Sequence, residues 1–191
     1  MTNSIHYGDL LKRQAELQTL GNMPPATLEQ VRVALLTEIG ELAQELKPDW
    51  AWWRKAGDAR TVNPERVLSE AADVGHFALL ADVVRGNWHQ ESYAIEQWGG
   101  TLPKLICDLE QQARYSFGGY GTWCALASIV RRYGFTPDDL IRAYWEKSEE
   151  NLRRWREAAD PVADALRSQV IPPPSQPPTY PKLLAALREE A

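Results

Sequence analysis

Histidine, methionine, phenylalanine and cysteine are scarce in this chain, with three, two, three and two residues among 191. Two cysteines cannot build a disulfide scaffold or a cysteine-rich zinc module. Cys107 and Cys124 lie in apolar stretches, so they read as buried free thiols of a protein kept in a reducing compartment. No apolar run approaches the ~18 residues that span a bilayer. The opening MTNSIHYGDLLKRQ also lacks the apolar centre of a secretion signal. The expectation is a cytoplasmic protein with no membrane partner. Nor is there a block of Lys and Arg to track a phosphate backbone, and the formal net charge is −5. Nucleic acid is therefore not an expected partner. An anionic ligand would need local neutralisation, for which a divalent cation is the usual device.

Sustained strand-like alternation is missing too, and helical periodicity takes its place. A first helix is predicted over Tyr7–Leu20, ending at Gly21. Thr27 and Gln30 form a capping-box pair that opens a second, from Leu28 to about Leu46, where Pro48 stops it. Residues 47–62 form a Trp-rich connection. Asn63-Pro64 starts a third helix, which runs to Arg85 before Gly-Asn. Further helices are expected over Leu102–Tyr115, Thr122–Tyr133 and Thr136 to about Ala159, with SFGGYG as a glycine break between the first two. The fold class is all-α, a helical bundle completed by oligomerisation. One domain covers 1–170, and 171–191 is a proline-rich linker with a short amphipathic end.

The chemistry begins with TEIGELAQEL. On a helical wheel Leu28, Val31, Leu35, Leu42 and Leu46 define an apolar stripe, and Glu38 falls inside it, with Glu45 and Glu41 on its edge. A carboxylate facing a core is costly unless paired or bound to metal. Taken alone, the helix also fits a solvated edge with Glu38 bonded to an arginine. The third helix, VLSEAADVGHFALLADVV, is apolar nearly all round, yet carries Glu70 and Asp73 on the side of Phe77, Leu80 and Val84. Antiparallel packing would bring the two i, i+3 acidic pairs face to face. Four carboxylates in one cleft repel one another without a cation, and all-oxygen ligation suits Mg²⁺ or Mn²⁺ rather than zinc.

Glu38-x-x-Glu41, then 28 intervening residues, then Glu70-x-x-Asp73 resembles the metal signature of the all-α nucleoside triphosphate pyrophosphohydrolases, which include the MazG proteins and the dimeric dUTPases. LLKRQAELQ is similar to the first-helix segment of the dUTPase branch, and implies base recognition by Gln14 and, four residues on, Gln18, where that branch has asparagine. DWAWWRK resembles its Trp-x-x-Trp-Lys stretch. That implies a nucleoside wall at Trp50 and Trp53, although core or subunit interface is an equal reading; Trp52 reads as packing, and His76 as a satisfied core histidine. Tyr144, Lys147, Asn151 and Arg154 share one stripe of the sixth helix and match the closing phosphate-binding pattern Tyr-x-x-Lys-x-x-x-Asn-x-x-Arg. Alone, that stripe is an ordinary polar face.

The resemblance spans residues 10–18, 31–80 and 140–155. It implies hydrolysis of a nucleoside triphosphate between its α- and β-phosphates, with Mg²⁺ held by Glu38, Glu41, Glu70 and Asp73. Glu41, farthest from the apolar stripe, is the candidate base. dUTP is the leading substrate. A MazG-like hydrolase of dGTP or a wider set of nucleotides is the alternative, and a non-catalytic helical assembly protein is a second one. A homodimer or homotetramer is expected.

Overall fold

Local capping sets most element boundaries in the computed structural model, which describes residues 6–21, 23–53, 61–87, 95–116 and 119–168. Helix α1 (Tyr7–Leu20) ends at Gly21, as predicted. Helix α2 (Leu28–Glu45) opens with the Thr27–Gln30 capping box, each side chain accepting from the other residue's N–H. Pro48 does not break the path there. It sits in the first turn of a short helix α3 (Lys47–Trp50), where no N–H is needed.

Helix α4 (Pro64–Arg85) starts at Asn63, whose side chain accepts from the N–H groups of Glu65 and Arg66. It closes on Gly86 at φ 70, a left-handed cap that glycine adopts without strain. Helix α5 (Leu102–Gln111) passes into a π-helical turn at Gln112–Ser116. Helix α6 is Gly119–Arg131, and helix α7 runs from Pro137 to Ser168, well past the Ala159 expected. The described residues hold no β-sheet and no helix long and apolar enough to cross a membrane. The proline-rich tail and most of the Trp-rich connection beyond Trp53 lie outside the described residues.

Helix α4 is the axis of the bundle, packed on by α1, α2, α6 and α7. Its apolar circumference is thus covered within one chain, so burial of α4 supplies no reason to oligomerise. Two expectations fail. Cys124 is buried but Cys107 is exposed; both are free. And SFGGYG is not simply a break, because Gly119 and Gly121 belong to α6. Their role is close approach. Asp82, fully buried, accepts from the Tyr7 hydroxyl at 2.9 Å, the Gly119 N–H at 3.1 Å and Asn87 Nδ2 at 3.1 Å, so α1, α4 and α6 are knotted at one carboxylate. A Cβ at 119 would collide with the Tyr7 hydroxyl and stand 2.8 Å from the Ala78 carbonyl oxygen. Gly119→Ala should therefore cost about 3 kcal/mol and lower Tm by about 6–12 °C in a thermal melt. An unchanged melt would mean that the knot relaxes freely.

Candidate active site

Helices α2 and α4 are antiparallel, since Val31 clusters with Leu80 at one end and Arg66 bonds Glu45 at 2.7 Å at the other. Midway between these ends the acidic pairs meet. Carboxylate oxygens of Glu38, Glu41 and Glu70 lie within 4.8 Å of one another. Asp73, one turn beyond Glu70, is half-buried against α7, where Lys147 Nζ approaches its Oδ2 to 2.8 Å. Among the described residues Glu38 has no ion pair with an arginine; the charged groups acting on it are Asp73, Glu41, Glu70 and Lys147.

Crowding and burial raise the proton affinity of this group. Burial first, then Asp73, Glu41 and Glu70, push Glu38 up to about 7, against the pull of Lys147. Glu70 is raised by burial, then by Asp73 and Glu41. Asp73 is raised by burial too, although its hydrogen bond from Lys147 opposes this. Lys147 loses by burial but gains more from Asp73, so its pKa is raised. The result is an acidic cage with the Lys147 ammonium at its rim. Such an oxygen-only donor set fits a hard divalent cation.

The cage opens into a cleft of about 510 Å³, within the size range of small-molecule sites. Glu38, Glu41, Asp73 and Lys147 line its polar end; Met23, Pro24, Val31, Phe77, Leu80 and Trp155 form much of the remainder. Gln18, Asn151 and Arg154 also reach it. Arg154 is exposed and bonded to Glu150 one turn earlier.

Five sequence-predicted residues do not line it, one of them Glu70, which belongs to the carboxylate cluster but not to the cleft wall. Gln14 and Tyr144 are fully buried behind the wall, the Tyr144 hydroxyl donating to Gln14 Oε1 at 3.1 Å. Tyr144 therefore does not stand on the phosphate side with Lys147. Trp50 donates its indole N–H to the Ala43 carbonyl at 2.9 Å, and its ring meets Trp53 edge to face at 5.4 Å. Trp53 is 55 % exposed and Trp52 89 %, so Trp52 is not core packing. His76 is buried as expected, yet its Nδ1 has no partner among the described residues, and the residue forms part of the cleft wall.

The cleft's apolar half was missed from the sequence. Met23 and Pro24 lie in what reads as a plain turn, and Trp155 falls just past the end of the polar pattern that closes at Arg154. Phe77, by contrast, directly follows His76 in a motif already noted, and was legible.

A family model for dUTPase matches residues 6–158, a span that takes in the cage and every residue lining the cleft. The chain belongs to the dUTPase family. Membership in this all-α dUTPase family makes it a nucleotide hydrolase of the dUTP pyrophosphohydrolase type and agrees with the helical fold. It also favours the dUTPase branch over MazG within the resemblance. No curated protein and no solved structure matches the chain.

Proposed function

We propose that the protein hydrolyses a nucleoside triphosphate, dUTP foremost, to the monophosphate and pyrophosphate in a Mg²⁺-dependent reaction. One observation carries this reading: Glu38, Glu41 and Asp73 line a cleft together with Lys147, Glu70 completes the carboxylate cluster beside them, and apolar side chains form much of the remaining wall. A base and sugar suit the apolar half and a triphosphate the polar one.

Glu38, Glu41, Glu70 and Asp73 would hold Mg²⁺, with Mn²⁺ able to replace it, and the ion would neutralise and polarise the phosphates. Glu41 is the exposed member of the cage and lines the cleft, so it is placed to orient a water and take its proton. Lys147 holds an outer phosphate as a point charge, and Arg154 supplies a planar fork once it leaves Glu150. Asn151 donates from the half-buried step between them. Gln18, Met23, Phe77 and Trp155 surround the nucleoside. Trp50 and Trp53, away from the cleft, are better placed at a contact between subunits.

The test is a panel of common dNTPs and NTPs assayed for pyrophosphate with Mg²⁺, Mn²⁺ or EDTA. dUTP should turn over fastest, and EDTA should stop the reaction. No pyrophosphate from any nucleotide would end the hydrolase reading, whereas dGTP cleaved as fast as dUTP would transfer it to a broad, MazG-like specificity.

The protein is further proposed to be a homodimer, or a tetramer built from it. Support comes from the exposed Val33, Trp52 and Trp53, at 66, 89 and 55 %, because large exposed apolar groups on a stable protein mark contacts. Light scattering at micromolar concentration should give at least twice the chain mass. A monomer would contradict it.

A further inference from the structure

Lys147 stands between two hollows. On one side is the cleft; on the other is a hollow of about 290 Å³ whose polar lining includes Glu65, Ser69, Glu146 and Glu150. Its ammonium is held on the cleft side. Nζ lies 2.8 Å from Asp73 Oδ2, and both side chains are largely shielded, at 25 % and 17 % exposed. The charge reaches past Asp73, for it also acts on Glu38 and Glu70. Three carboxylates of the cage thus share the charge of a side chain that the hydrolysis needs elsewhere, at the outer phosphates.

An ammonium can share a carboxylate with a second cation only against their mutual repulsion. Mg²⁺ bonds oxygen at about 2.1 Å, so an ion on Asp73 Oδ2 would stand at most about 5 Å from an ammonium left in place. In a shielded site that repulsion is strong, and the side chain able to yield is the lysine. Its four-carbon stem is flexible. The second hollow offers it Glu146 and Glu150, and Glu150 already attracts it.

We infer that Lys147 competes with the divalent cation for Asp73, so that Lys147 leaves this carboxylate when the cation binds and is thereby freed for an outer phosphate. The phosphate in this inference rests on the proposed hydrolysis; the competition rests only on the cage. Such coupling is reciprocal: if the cation weakens the Lys147–Asp73 pair, the pair weakens cation binding by the same factor. Lys147 is then a brake on the cation and a grip on the triphosphate, and it makes the two bind cooperatively. Arg154 is the contrast. It is bonded to Glu150, outside the cage, so its release does not depend on the cation.

The experiment titrates Mn²⁺ alone into the full chain by calorimetry, after EDTA treatment and dialysis, with no nucleotide present. Lys147→Met keeps an unbranched side chain and removes the charge. It should bind Mn²⁺ about tenfold more tightly than the wild type. Lys147→Gln is a second neutral variant, and circular dichroism checks the fold of both. Arg154→Ala should stay near the wild-type affinity. The Lys147→Met chain should also bind a non-hydrolysable triphosphate more weakly, and Mg²⁺ should tighten that ligand less than it does in the wild type. A merely structural role would not move the two ligands in opposite directions. Mn²⁺ bound no more tightly by the folded neutral variants would overturn the inference while leaving the metal site intact, as would Arg154→Ala matching Lys147→Met. Mn²⁺ bound by no form of the chain would overturn the metal site along with it, so the two failures are distinguishable.

Discussion

Glu38→Gln and Asp73→Asn should each leave the helices folded and lower kcat on the order of 10³-fold, with excess Mg²⁺ failing to restore it. Both residues belong to the acidic cage, and both substitutions keep shape while removing an anionic donor. The Glu38 change carries a second signature. Its pKa in the folded protein, about 7, lies above the ordinary value of 4.5. The folded state therefore binds more protons than the unfolded state between those values, and stability falls as pH rises through that window. In EDTA the wild type should lose Tm from about pH 5 to about pH 8. Glu38→Gln should flatten that slope and melt higher at the alkaline end. Glu38 is partly open to solvent, so the slope will be modest. Wild-type turnover by folded forms of both variants would remove the cage from the mechanism.

Lys147→Ala should have the next largest effect, weakening triphosphate binding by about 10- to 100-fold, as loss of a charge-assisted contact of about 1.5–3 kcal/mol implies. Binding of the nucleoside monophosphate should change little. The argument is positional: Lys147 Nζ sits 2.8 Å from Asp73 in the cleft, at the end proposed for the outer phosphates. Arg154→Ala should cost less, since Arg154 is exposed and must first leave Glu150. Isothermal titration with a non-hydrolysable triphosphate and with the monophosphate separates these outcomes. Equal losses on both ligands would place Lys147 against the sugar or base instead.

Much of the fold was legible because its boundaries are written in local chemistry. Thr27 with Gln30, Asn63-Pro64 and Gly86 each act within a few residues of themselves, and the helices they bound lie where the sequence places them. The acidic cage was legible for a similar reason. Carboxylates inside an apolar stripe conflict with burial on one helix, and a second helix with the same conflict names the partner. What was lost depends on contacts far apart in the chain. Gly119 and Gly121 read as punctuation, whereas Gly119 is small because Tyr7 and Asp82 crowd it. Tyr144 shares a wheel sector with Lys147, but a few tens of degrees divide a residue that faces solvent from one that faces Gln14. Pro48 reads as a stop because a proline ends a helix as readily as it begins the next.

The separation of partners along the chain has a consequence for the order of assembly. Helices α2 and α4 are near neighbours in sequence, while Arg13–Glu149 and Gln14–Tyr144 join residues 136 and 130 positions apart. Loop closure favours the near pair, so the acidic cage should form early and the cleft late. On the ribosome α7 emerges after α2 and α4, and until it docks the nascent bundle holds a cluster of carboxylates with no Lys147 to offset them. A divalent cation would then act as a folding ligand before it served as a cofactor, and refolding should accelerate with Mg²⁺ most strongly in a chain truncated ahead of α7.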